Sequence, residues 1–127
     1  SCLIMDLDHF KQINDSFGHA FGDFVLKEFA QCLKNSTRNT DWRFRYGGEE
    51  FMLLVPSTDI HNAQRIAEKL RQIYEEKTFT NGLHSATVTV SIGVASKNQH
   101  QPDRWEDLMG YADKALYDAK NNGRDSE

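Results

Sequence analysis

Apolar and polar positions alternate along this chain in two distinct rhythms, and the rhythms divide it into elements. Cys2-Leu3-Ile4-Met5 is a short apolar run closed by Asp6, which predicts a buried strand. Phe10 to Asp15 predicts one or two helical turns ending near Phe17-Gly18. Apolar residues at Phe21, Val25, Leu26, Phe29, Ala30 and Leu33 then follow helical spacing. After the polar stretch 35–40, Trp42-Arg43-Phe44-Arg45-Tyr46 alternates with period two and predicts a half-buried strand. Phe51 to Val55 predicts its partner, joined through Gly47-Gly48. A Gly-Gly pair between strands signals a hairpin, because tight hairpin turns need positive φ.

Pro56-Ser57-Thr58-Asp59 ends that strand and offers helix caps. Ala63, Ile66, Ala67, Leu70, Ile73 and Tyr74 give the following helix an apolar face. Ala86, Val88, Val90, Ile92 and Val94 alternate with small or polar residues and predict one long strand. A polar loop, 97–103, precedes a last amphipathic helix carrying Trp105, Leu108, Met109, Ala112, Leu116 and Ala119, with Gly123 placed as a C-cap. The predicted order is β-α-α-β-β-α-β-α. A hairpin within it requires an antiparallel pair, which disfavours a doubly wound parallel sheet. The expected fold is α+β, ferredoxin-like, with a mostly antiparallel central sheet flanked by helices.

Size and charge narrow the chemistry. The 127 residues suit one domain, 1–127, and 39% apolar composition supports one core. A net charge of -4 argues against a sequence-independent grip on nucleic acid. No apolar run reaches the roughly 20 residues of a membrane span, so direct membrane insertion is not expected. Cys2 and Cys32 have no zinc-type spacing and read as buried, reduced thiols of a cytoplasmic protein. The abrupt start at Ser1 and the end at Asp125-Ser126-Glu127 suggest a piece of a longer protein.

Two acid clusters carry the candidate chemistry. Asp6 and Asp8 end the first strand, and Glu49 and Glu50 follow Gly47 and Gly48 in the hairpin turn. If the hairpin neighbours the first strand, the clusters meet at one sheet edge. Facing carboxylates repel unless a cation lies between them, and oxygen-only ligands suit Mg²⁺, with Mn²⁺ as the alternative ion. Glycines allow backbone N–H groups to approach a phosphate. The plainer reading is a simple turn with solvated acids. His9, His19, His61, His84 and His100 show no paired metal spacing.

The segment Arg45-Tyr46-Gly47-Gly48-Glu49-Glu50-Phe51 resembles the signature of the GGDEF family in its Glu-Glu form. Residues 6–15, 17–23 and 112–120 through Gly123-Arg124 resemble three further family blocks. The family's upstream Asp-x-Leu-Thr-Gly-Leu segment is missing, which fits a fragment lacking its first helix and an N-terminal sensor. The resemblance implies a nucleotidyl-cyclase-like fold and diguanylate cyclase activity, joining two GTP molecules into cyclic di-GMP with release of two pyrophosphates. It implies a homodimer, with an upstream sensor or receiver domain and a parent chain either free in the cytoplasm or membrane-anchored. Asp6, Glu49, Glu50 and the Leu7 carbonyl would hold metal, and Glu49 would be the base for the attacking 3′-hydroxyl. Gly47 and Gly48 would close over phosphates. Asn14 and Asp23 would read guanine, with Phe10 and Lys11 in the same substrate-binding set. Lys120 and Arg124 would hold the terminal phosphates. Arg38-Asn39-Thr40-Asp41 fits the family's Arg-x-x-Asp motif, so Arg38 and Asp41 would form an inhibitory product site. On residue chemistry alone, Asn14 could instead be a cap, Asp23 an acid near a helix N-terminus, and Lys120 and Arg124 complements to a helix C-terminus. A non-catalytic module that binds GTP or cyclic di-GMP is the alternative function.

Overall fold

The structure is a computed structural model describing residues 1–96 and 105–124, with side chains of the last helix described from Met109 onward. The polar loop predicted over 97–103 and the Trp105 and Leu108 side chains lie outside the described residues. The elements are β1 (Cys2–Leu7), α1 (Phe10–Phe17), α2 (His19–Asn35), β2 (Trp42–Arg45), β3 (Glu50–Leu54), α3 (Ile60–Glu76), β4 (Thr78–Thr80), β5 (Ser85–Thr87), β6 (Val90–Ala95) and α4 (Trp105–Asn121). The main sheet has the order β2-β3-β1-β6, and all three of its pairings are antiparallel. This is the ferredoxin-like arrangement the pattern predicts.

β1 is central, so both of its faces must be covered, and every one of its residues is buried. Period two sorts them. Leu3, Met5 and Leu7 join α1, α2 and α3 in the larger core, with Phe21, Phe29, Leu53, Leu70, Tyr74 and Ile92. Cys2 and Ile4 join the smaller core on the opposite face, with Met52, Ala95, and Ala112 and Leu116 of α4. Tyr74 stacks on Phe29 with centroids 4.0 Å apart, and its hydroxyl donates to the Phe29 carbonyl at 2.8 Å. That bond lets a tyrosine sit fully buried and ties α3 to α2. Cys2 and Cys32 are both free thiols, Cys2 buried and Cys32 only half-buried.

Three expectations are corrected. β2 is not half-buried: its pattern is largely exposed, with Trp42 61% accessible. β2 is an edge strand, and α4 packs chiefly on β6 and β1. The long strand over Ala86–Val94 is two strands. β5 pairs with β4 in a separate two-stranded sheet, and the chain re-enters the main sheet at Val90. The Asp8 amide donates to the Thr89 carbonyl at 2.9 Å, pinning the crossing point. Alternation persists through the break because Val88 is buried too, so periodicity alone gave no sign of it. Finally, neither Gly47 nor Gly48 adopts left-handed φ. The connection over 46–49 is longer than a two-residue turn, and it closes by donation from the Tyr46 and Gly47 amides to the Glu50 carbonyl at 2.8 and 3.2 Å.

One glycine sets the seat of α4. A Cβ at Gly93 on β6 would lie 2.1 Å from the Ala112 carbonyl oxygen and 2.3 Å from the Leu116 nitrogen. Both are backbone atoms, which cannot rotate aside. Gly93→Ala is therefore expected to push α4 off the sheet and cost about 1–3 kcal/mol or more of stability, measurable by denaturant unfolding. A variant as stable as the wild type would contradict this packing.

Candidate functional site

The site follows from the alternation of β1. Asp6 shares a face with Cys2 and Ile4, so its carboxylate points to the side covered by α4. It is 5% accessible. Lys120, in the last turn of α4, donates from Nζ to Asp6 Oδ2. Asp6 Oδ1 is buried with no partner among the described residues. Antiparallel register places Glu50 directly opposite Asp6 on β3. Burial pushes the Asp6 carboxyl above its ordinary range, against the lowering effect of the Lys120 ammonium and of Arg124. Burial, and then the charge of Asp6, pushes Glu50 up as well.

The turn is held close to this pair. The Leu7 amide donates to the Glu49 carbonyl at 3.3 Å, which joins the turn to the end of β1. Arg45 donates to the Gly47 and Gly48 carbonyls, the latter at 2.7 Å from Nη2. Both glycine carbonyls and the Gly47 amide are thereby engaged within the turn. Space around the Gly48 α-carbon is open to 4 Å, whereas a Cβ at Gly47 would meet Glu50 Oε1 at 3.3 Å. Glu49 lies half-buried one residue outward on the turn.

Asp8 is engaged by protein hydroxyls beside Asp6, whose register partner is Ser91, and its charge adds to the rise of the Asp6 carboxyl. The Asp8 carboxylate accepts from Thr89 Oγ1 and Ser91 Oγ, both at 2.7 Å, and fastens β1 to the start of β6. Among the described residues no group of three His, Cys, Asp or Glu side chains could hold a metal. The donors the structure brings together at Asp6 are therefore two facing carboxylates. That fits Mg²⁺, which keeps several of its waters and binds proteins through one or two carboxylates. The unpartnered Asp6 Oδ1 is the observation that favours a cation, since an uncompensated buried acceptor is costly.

The other predicted residues fall into two places. Phe10 is buried on α1, Asn14 is half-buried on the same helix, and Asp23 is exposed on α2. Asn14 caps nothing with its side chain, for Gly18 is the N-cap of α2 and no side chain bonds there. Asp23 is beyond the first turn of α2, so the N-terminal-acid reading does not hold either. Asp23 lines a groove of about 450 Å³ with Leu26, Lys27, Arg43, Arg45 and Phe51. Arg45 thereby connects that groove to the Gly47-Gly48 turn. Lys11 stands exposed on α1, apart from the Asp6–Glu50–Lys120 cluster. Arg124 follows the cap glycine Gly123 (φ 101°), is itself left-handed at φ 63°, and its charge reaches Asp6.

Arg38 and Asp41 form a unit away from this cluster. Asp41 accepts from the Arg38 amide at 2.9 Å and from its Nη2 at 3.0 Å, and Arg38 also donates to Thr58 Oγ1 at 3.1 Å. The Asp41 carboxylate is buried while the guanidinium faces a groove of about 600 Å³, lined also by Asn62, Arg65 and Lys69. The i, i+4 spacing of Arg65 and Lys69 on α3 is the sequence signal for their shared face. Asp113 has no such signal in the sequence pattern. It lies on the Lys120 face of α4, seven residues earlier, and its charge acts on Tyr46 and Glu50.

The family model described as "Diguanylate cyclase, GGDEF domain" matches residues 1–126. The chain belongs to the GGDEF family. Diguanylate cyclase A of Treponema denticola is 45% identical over 98% of the chain, which covers 33% of that protein. Indeed the chain spans a third or less of the length of the first curated relatives it matches. Among solved GGDEF structures, the active GGEEF domain of a diguanylate cyclase from Vibrio cholerae superposes with a TM-score of 0.85 at 32% identity, over 98% of this chain and 78% of that one. The GGDEF domain of DgcB from Caulobacter crescentus, solved in complex with c-di-GMP, gives 0.88 at 31% identity, over 98% and 74%. No helix among the described residues is long and apolar enough to cross a membrane.

The raised Glu50 carboxyl has a consequence for stability. An acid whose folded-state pKa is raised binds protons more tightly folded than unfolded, so it disfavours folding as pH rises through its titration. Without added metal, Glu50→Gln is expected to raise Tm by a few degrees at pH 8 and by less at pH 5, by thermal melts. A loss of Tm at pH 8 would contradict the repulsion inferred between Glu50 and Asp6.

Proposed function

We propose that this domain is the catalytic unit of a diguanylate cyclase, joining two GTP molecules into cyclic di-GMP with release of two pyrophosphates. The observation that carries the reading is the facing Asp6–Glu50 pair with an unpartnered buried oxygen, beside Lys120 and the open Gly47-Gly48 turn. The names of the relatives support the same activity.

In this reading each 3′-hydroxyl attacks the α-phosphorus of the facing GTP. A new P–O bond forms, the bond from the α-phosphorus to the bridging oxygen of the pyrophosphate breaks, and Glu49 accepts the hydroxyl proton. Asp6, Glu50 and the Leu7 carbonyl would hold a divalent ion, which would supply charge neutralisation at the phosphates. Lys120, released from Asp6, and Arg124 take the terminal phosphates. The Gly48 amide faces the phosphates, while the Gly47 amide closes the turn on the Glu50 carbonyl and Arg45 holds both glycine carbonyls. Asn14 and Asp23 meet the guanine edge, a carboxylate matching its N1–H and exocyclic amine. Phe10 lies beneath them.

One domain presents one GTP, so the reaction needs a second copy facing the first. An upstream sensor or receiver domain would control that pairing. Arg38, with its guanidinium fixed by Asp41, and the cationic Arg65 and Lys69 suit a ligand carrying two phosphates. We therefore assign product inhibition by cyclic di-GMP to that groove.

Incubation with GTP and Mg²⁺, with dimerisation enforced by a fused coiled coil, is expected to yield cyclic di-GMP and pyrophosphate. Glu49→Gln should lower turnover by about 10²-fold or more, the usual worth of a positioned base. Absence of product from the enforced wild-type dimer would sink the cyclase reading and leave a binding module. In the same assay Arg38→Ala should lose inhibition by added cyclic di-GMP. Inhibition as strong as in the wild type would remove the assignment of the groove.

A further inference from the structure

We propose that Gly22 is a specificity-positioning residue: its missing side chain is what allows Asn14 to hold its amide at the guanine edge. The inference rests on the guanine-reading role given to Asn14 above and extends it to a residue that touches no ligand.

α1 and α2 meet at a tight joint. The Gly18 amide donates to the Asn14 carbonyl at 2.8 Å, and the Gly22 amide donates to the Gly18 carbonyl at 3.2 Å. This fold-back lays the Asn14 side chain across the α-carbon of Gly22. A Cβ built at Gly22 would lie 1.8 Å from Asn14 Oδ1, 3.0 Å from Asn14 Cγ and 3.3 Å from Phe10 Cζ. The first contact is impossible, so something must move.

What moves is decided by what is fixed. Gly22 is flanked on α2 by Phe21 and Val25, 1% and 0% accessible in the larger core, so the helix cannot retreat. Asn14 ends in a short side chain with free torsions, and it is half-buried rather than locked. Its amide makes no hydrogen bond to the protein among the described residues, so no protein partner holds it in place. A methyl at position 22 would therefore rotate the Asn14 amide away and leave the backbone where it is. The Phe10 ring edge, at 3.3 Å, would have to give only a few tenths of an ångström.

The glycine also has a cost that its packing role offsets. Inside a helix, glycine is about 0.5–1 kcal/mol less favourable than alanine. Gly22 is the fourth residue of α2 and is buried. An alanine there would favour the helix and add apolar contact, yet it would occupy the volume of the Asn14 amide. The sequence thus gives up local helix stability at the one point where the amide needs room.

The test is a double-mutant cycle read by equilibrium binding of non-hydrolysable GTP and ATP analogues in Mg²⁺, with thermal melts alongside. Gly22→Ala is expected to stay folded and to lose about 10-fold in the GTP-over-ATP preference, the effect of one lost hydrogen-bonding group. Asn14→Ala should lose a similar amount, and Gly22→Ala added to Asn14→Ala should change the preference by less than about 2-fold. If Asn14→Ala leaves the preference unchanged, the guanine reading itself fails. If Asn14→Ala lowers it and Gly22→Ala does not, or if Gly22→Ala lowers it equally in the Asn14→Ala background, the positioning role is overturned. Should Gly22→Ala fail to fold, Asn14→Ala/Gly22→Ala is expected to restore folding by vacating the volume. A double variant that also fails would place the clash elsewhere and overturn the proposal.

Discussion

A carboxylate buried at the end of a central strand is the constraint around which this domain is organised. β1 is covered on both faces, and period two gives Asp6 no choice of side once Leu3, Met5 and Leu7 have entered the larger core. Burying a lone carboxylate costs several kcal/mol unless a cation compensates. α4 supplies one cation through Lys120, to a single oxygen. The second oxygen has no partner among the described residues. Glu50, placed opposite by the register, increases the negative charge instead of relieving it. An arrangement so unfavourable to the apo fold is best understood as one prepared for a second cation.

The supporting structure is divided by function. Strands β1 and β3 fix the two acids through their ladder, so the pair is as rigid as the sheet. α4 brings Lys120 and Asp113, and its closeness to the sheet depends on Gly93. The turn between β2 and β3 is held by Arg45 and by the Leu7–Glu49 backbone bond, both local contacts. The joint between α1 and α2 lays Asn14 against Gly22, one residue before Asp23, which lines a groove that reaches the turn through Arg45. The Arg38–Asp41 unit opens on a different groove, bounded by α3. Occupancy of one need not block the other by contact.

Much of this was legible in the sequence because the deciding features are local. The apolar run 2–5, the helical spacing over 21–33 and the Gly-Gly between strands gave the sheet and its flanking helices. The acid clusters and the signature motif gave Asp6 and Glu50. Features that depend on the third dimension stayed hidden. Nothing in Trp42-Arg43-Phe44 shows that the strand lies at the sheet edge and stays exposed. The alternation through Val88 conceals a chain that changes sheets there. Asp8 has the same residue type and strand phase as Asp6, but Thr89 and Ser91, more than eighty residues away, claim its oxygens. Gly22 and Gly93 owe their identity to atoms of other helices. The φ argument for Gly47-Gly48 reached the right hairpin through a backbone conformation that the turn does not use.

If Asp6 is a cation site whose second oxygen stands ready, Mn²⁺ binding followed by paramagnetic resonance, with a non-hydrolysable GTP analogue present, will show it. Saturable binding is expected for the wild-type domain and its loss in Asp6→Asn, with the Asp6→Asn fold intact by circular dichroism. Equal Mn²⁺ affinity in the two proteins would rule the site out.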